Sequence, residues 1–239
     1  PLKSTFAQLS TEFLENLPKD AVIGFYDFDS NLLKQSYIPN YSPSDIETEL
    51  EVPFRGKVVF YVYVNNEPFR MWVTKQDLNW YEGQDNYTVS IKDINQNLIY
   101  SKDLEDDKDE TSNRISDFEQ TFNLEVPNLN GVYYLIFEQT SKSSDSTIKD
   151  IKLNTNKVIF YKSILPLDPI SLYTKNYFNK ALSFYYWHAV AEQDVIINNN
   201  SIHLGKEYKS VIYNYLLSYG EYNISAEKGD ISISNGFLL

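Results

Sequence analysis

From Ala21 onward, apolar and polar residues alternate in short segments separated by Asn, Asp, Gly and Pro, and this two-residue period constrains the fold more than any other feature. In an extended chain successive side chains point to opposite faces, so such a segment can bury one face and wet the other. "FRMWVTK" (69–75), "NYTVSIKDI" (86–94), "NLIYSKDL" (97–104) and "TFNLEV" (121–126) have this pattern. "GKVVFYVYV" (56–64) and "NGVYYLIFEQT" (130–140) are nearly continuous β-branched and aromatic runs, as strands buried on both faces require. "VNNEPF" (64–69), "YEGQDN" (81–86), "DINQN" (93–97) and "VPNLNG" (126–131) supply turn residues between them. No amphipathic helix intervenes, so the expectation is all-β: an antiparallel β-sandwich and not a parallel α/β sheet. The exception is the start, where Phe6, Leu9, Phe13 and Leu17 recur at helical spacing between a capping Ser4 and Pro18, predicting one short N-terminal helix.

Two prolines in "SILPLDPISLYTKN" (163–176) interrupt the pattern, and the charge density falls there. This predicts a β-sandwich domain over 1–165, including the helix, and a smaller, truncated β domain over 166–239. Pro1 and Leu239 read as cut ends, with a removed leader before one and an anchor or further domains after the other. With 42% hydrophobic residues, including 20 Tyr and 14 Phe, the chain has ample material for a core. No run of apolar residues is long enough to span a membrane as a helix.

Charge and missing residue types exclude several chemistries. The net charge is −12, concentrated between Asp77 and Glu125. Such a surface repels phosphate backbones, whose binding depends on clustered Lys and Arg, so nucleic acid is not an expected partner. With no cysteine there is no thiol nucleophile, no cysteine-ligated metal and no disulfide. The 8 glycines are too scattered to form a phosphate-cradling loop.

Asp27 and Asp29, after the apolar run "AVIGFY", share the spacing of the nucleophile and acid of haloacid-dehalogenase phosphatases. Those enzymes need a doubly wound sheet behind the motif, and the strand succession here offers none. His188 and His203 lack metal-ligand spacing. The expectation is therefore that the chain is not an enzyme; a hydrolase with paired carboxylates is the remote alternative. The acidic run "DLEDDKDE" (103–110) offers oxygen ligands for calcium in Asp103, Glu105, Asp107 and Asp109, beside the ordinary reading of a solvated loop tip. Trp80 and Tyr81, with Asp77 and Asn79 close by, form the candidate carbohydrate site: flat rings stack on sugars while carboxylates and amides bind hydroxyls. Trp187, in "FYYWHAV", is a further candidate, and the alternative is that these rings fold into the core. Glycan acceptor tripeptides at Asn40, Asn86, Asn199 and Asn223 occur at about the number chance gives.

The stretch 54–104, with its aromatic strand, polar turn, "TKQDLNWYEG" and the "YTVSIKDINQNLIY" hairpin, resembles β-sandwich ectodomains of microbial, archaeal-type cell-surface proteins. The resemblance implies an extracellular, non-catalytic structural or adhesive domain in a surface layer, filament or stalk, with copies of itself or other surface proteins as partners. A carbohydrate-binding module is the alternative, with glycans as partners and calcium as the one ion to consider.

Overall fold

The computed structural model describes residues 22–25, 48–50, 53–109, 116–141, 144–155, 158–161, 163–164, 169–176, 180–186, 192–205, 211–218, 220–228 and 231–235. Every regular element among them is a strand, so the all-β expectation holds. The expected helix lies outside the described residues, as do Asp27, Asp29, Asn40, Trp187 and His188. Among the described residues no helix is long and apolar enough to cross a membrane.

In chain order the strands are β1 (Val22–Phe25), β2 (Thr48–Leu50), β3 (Val58–Gln76), β4 (Tyr87–Asp93), β5 (Leu98–Leu104), β6 (Glu119–Gln139), β7 (Thr147–Leu153), β8 (Val158–Tyr161), β9 (Ser163–Ile164), β10 (Ile170–Asn176), β11 (Lys180–Tyr186), β12 (Gln193–Ile197), β13 (Asn200–Leu204), β14 (Val211–Leu217), β15 (Gly220–Ala226) and β16 (Ile231–Asn235). They fall into two compact units, Tyr41–Val158 and Pro1–Asn40 with Ile159–Leu239.

The unit Tyr41–Val158 is built on two long strands, β3 and β6, paired antiparallel along nearly their whole length. "VNNEPF" and "VPNLNG" were expected to be turns; instead they lie opposite one another inside these strands, where the register shifts twice between Asn65 and Phe69. Pro68 and Pro127 have no amide hydrogen to donate to a ladder, and Asn66 and Asn128 take positive φ values of 53° and 56°, so the paired strands bulge here and continue. Asn154 staples the bulge: its Nδ2 donates to the Pro68 carbonyl at 2.8 Å, and its Oδ1 accepts from the Arg70 amide at 2.7 Å.

The bulge divides the ladder into two halves. The first half of β3 pairs with the second half of β6, followed by β4 and β5. The second half of β3 pairs with the first half of β6 and also carries β7 and β2. Phe54 joins the halves. Its backbone exchanges bonds with Ile148 of β7, while its ring sits 6.1 Å from that of Phe60 on β3 and 5.5 Å from that of Phe137 on β6. The arrangement is sandwich-like, with Val58, Phe60, Val62, Val64, Leu135 and Phe137 in its core.

In the other unit β10, β15, β12 and β13 form antiparallel pairs, as do β9, β16, β11 and β14. β1 departs from the expected antiparallel pattern, pairing parallel with both β8 and β10. The β12–β13 hairpin turns at Asn198, whose φ is 52° and whose Oδ1 accepts from the Asn223 amide at 2.9 Å.

Candidate functional site

Three loops meet at one end of the sandwich-like unit: 77–86 after β3, 105–109 after β5 and, after β6, residues 140–141 and 144–146. Aspartates bind them together by accepting backbone amides. Asp145 Oδ2 takes the amides of Trp80 at 2.7 Å and Tyr81 at 3.2 Å, which fixes the aromatic pair to a loop more than sixty residues further along the chain. The Asp145 amide donates to Asp85 Oδ1 at 2.8 Å, the Asp85 amide to Asp106 Oδ1 at 3.0 Å, and the Asp107 amide to Asp77 Oδ2 at 2.9 Å. Within 105–109, Asp106 and Asp107 each accept the amide two residues on, from Lys108 at 3.0 Å and Asp109 at 2.9 Å. These Asx turns order the acidic run, which is therefore more than a solvated tip.

Lys75, at the end of β3, is fully buried. Its ammonium reaches Asp77 Oδ2 at 2.7 Å, the Glu105 carbonyl at 3.0 Å and Gln120 Oε1 at 3.3 Å, which uses its three donors. Burial raises the Asp77 carboxyl above the ordinary aspartate value against the pull of Lys75. Asp85 is displaced further, to about 7: burial is the main cause, and the neighbouring carboxyl of Asp145 and the charge of Asp77 add to it. Asp85 and Asp145, at 1% and 5% exposed, lie too deep to touch a substrate.

Above these carboxylates the loops enclose a cleft of about 640 Å³. Tyr81 and Asn79 line it with Glu82, Gln84, Asp106, Lys108 and Asp109, while Gly83 at a φ of 136° carries the backbone along its wall. Tyr81 is 64% exposed; Trp80 is 42% exposed and has the Arg55 guanidinium 5.2 Å from its ring centroid. Three carboxylates against one ammonium make the lining acidic.

Of the residues the sequence suggested for carbohydrate, Tyr81 and Asn79 line the cleft, Trp80 stands beside it, and Asp77 is buried with Lys75. Of those suggested for calcium, Asp107 joins a carboxylate cluster, but with Asp77 and Asp106. Asp103 bonds Thr88 Oγ1 at 2.7 Å on exposed strand surface, Glu105 offers its carbonyl to Lys75, and Asp109 faces the cleft. Among the acceptor asparagines, Asn86 uses its side chain internally, taking the Asp106 amide at 2.7 Å, whereas Asn199 and Asn223 are exposed. His203 pairs with Asp194 at 2.8 Å on the surface of the other unit, and this bond holds the Asp194 carboxyl below its usual value. Asp145, Arg55 and Lys75 were missed by sequence reasoning. Nothing in "SKSSDST" marks Asp145, and a lysine at the end of an alternating strand reads as an ordinary surface residue.

No protein-family model matches the chain, and neither does any curated protein. Among solved structures, a family 35 carbohydrate binding module from an environmental isolate is similar at 14% identity and a TM-score of 0.31, covering 44% of this chain and 69% of that one. Dimeric latent PorU from Porphyromonas gingivalis is similar at 10% identity and a TM-score of 0.27, covering 75% of this chain and 19% of that one. Both likenesses are too remote to bear on what this chain binds.

Proposed function

We propose that the chain is a non-catalytic, glycan-binding β-sandwich protein acting outside the cell, with the cleft at Tyr81 as its binding site. The observation that carries this reading is a largely exposed tyrosine ring at a cleft whose other walls supply amides, carboxylates and an ammonium. Such a ring gives the apolar face of a pyranose something to stack on, and the polar groups match its hydroxyls. The acidic lining disfavours uronic acids and sulfated or phosphorylated sugars, so the ligands are neutral or amino sugars. A glycan array followed by calorimetry tests this. Neutral oligosaccharides should bind, and Tyr81→Ala should weaken them at least tenfold, about 1.4 kcal/mol. Absence of binding across the array, or unchanged affinity in Tyr81→Ala, rejects the reading.

A structural or adhesive role draws support from β5. Among the described residues it ends its sheet, paired with β4 alone, and exposes Leu98 and Ile99 along that edge, which is the geometry by which strands of separate chains add to one another. Light scattering at rising concentration should then show association that Ile99→Lys abolishes; a concentration-independent monomer speaks against it.

A further inference from the structure

Ionised carboxylates only accept hydrogen bonds, so two of them bonded side chain to side chain must share a proton. Asp85 and Asp145 are such a pair, and they join segments 60 residues apart in the chain. Both side chains are buried, and each has one oxygen already committed. Asp85 Oδ1 accepts the Asp145 amide at 2.8 Å, and Asp145 Oδ2 accepts the amides of Trp80 and Tyr81. The oxygens left over, Asp85 Oδ2 and Asp145 Oδ1, are buried and meet no donor, so a proton between them is what satisfies both. The surrounding charges favour keeping it. Asp77, just after β3, adds its own charge, and Asp106, after β5, accepts the Asp85 amide. Lys75 gives its three donors to Asp77, the Glu105 carbonyl and Gln120, and Arg55 lies over the Trp80 ring. Glu82, Lys108 and Asp109 line the cleft with Tyr81.

We propose that Asp85 and Asp145 act as a proton-operated latch: the shared proton holds the loop of residues 77–86 against the segment around Asp145 and so presents Trp80 and Tyr81 at the cleft, and its loss frees that aromatic edge. With the proton gone, two buried carboxylates face each other beside Asp77. Parting the loops relieves the repulsion and withdraws Asp145 Oδ2 from the Trp80 and Tyr81 amides. Burial, the Asp145 side chain and the charge of Asp77 raise the Asp85 carboxyl to about 7, so the latch is closed in mildly acidic surroundings and opens as pH rises through neutrality. That carbohydrate affinity follows the latch rests on the glycan reading of the cleft; the latch itself does not.

The test is an NMR titration of the isotope-labelled full chain between about pH 5 and about pH 9, following the Trp80 and Tyr81 amides, with calorimetry of a neutral oligosaccharide at both ends. Expected is one common midpoint of about 7 for both amides, with solvent exchange, corrected for its intrinsic pH dependence, about tenfold faster above it. Asp85→Asn keeps a donor against Asp145 Oδ1 at every pH, so its amides should not titrate near neutrality and its affinity should stay level. The wild type should lose about fivefold in affinity at the alkaline end. His203→Asn, which alters only the pair with Asp194 in the other unit, should leave the midpoint unchanged. If Asp85→Asn does not fold, Asp145→Asn supplies the same donor from the opposite side and should flatten the titration equally. Wild-type amides that do not move through neutrality, or that move equally in Asp85→Asn, overturn the proposal. Oligosaccharide bound with the same affinity at both ends also overturns it, because the edge has then stayed in place. Amides that titrate in a chain that binds no oligosaccharide uphold the latch and reject the glycan reading instead.

Discussion

The side chains that define the loop end are charged groups placed where water is scarce, and their energetics follow from that. Lys75 and Asp77 are both removed from solvent and bonded to each other. Deleting one member strands the other: Lys75→Met should cost about 3–5 kcal/mol in urea unfolding, far more than Lys57→Met, whose partner Glu138 is exposed. Asp85 gives a pH signature whose sign is fixed. Its carboxyl keeps a proton to about pH 7 when folded but releases it at its ordinary value near 3.8 when unfolded. Folding therefore takes up a proton between those values, so this group's contribution is full below pH 3.8 and lost as pH rises through 7. Relative to Asp85→Asn, the wild type should be more stable at pH 5 than at pH 8 by urea unfolding; an equal difference at both pH values would contradict the assignment.

At the scale of elements, the long strands β3 and β6 decide the architecture, and they do so by bulging where a chain of this composition was expected to turn. Asn, Pro and Gly between two apolar runs are compatible with either outcome. What selects the bulge is that the two irregular stretches face one another, so the ladder resumes on the far side and both strands enter both halves of the unit. Gly131, opposite Val64, ends the irregular stretch at a φ of 120°, and an added Cβ would meet nothing within 4 Å. Gly131→Ala therefore strains only the backbone, and should cost about 1–3 kcal/mol by chemical denaturation. By contrast "DINQN" is a turn as its residues indicate: Asp93 Oδ1 accepts the amides of Asn95 and Asn97 at 2.8 and 2.9 Å, and β4 and β5 form the hairpin around it. That device is contained in five residues, and so it was legible.

At the scale of the whole molecule, Phe54 shows what holds a unit of two sheet halves together. It is an isolated bridge residue by backbone and a central ring of the Phe54, Phe60 and Phe137 cluster by side chain. Phe54→Ala should lower stability by about 3–5 kcal/mol in denaturant titration, because the cavity opens between halves that cannot close on it independently. The units are also unlike in their pairing, as the parallel placement of β1 between β8 and β10 shows. By itself the sequence determined the all-β character, the residues of the core faces and the hairpin at Asp93, because side-chain alternation and Asx turns are set by steric and hydrogen-bonding rules that act over a few residues. It also placed Tyr81 and Asn79 together in a polar loop. Only the tertiary structure decided that Asp145 holds the Trp80 and Tyr81 amides, that Arg55 covers Trp80, and that Asp77, Asp106 and Asp107 gather at the cleft. Those meetings depend on which strands lie side by side, and pairing between distant segments is settled by the burial of both partners' faces at once, which no local pattern records.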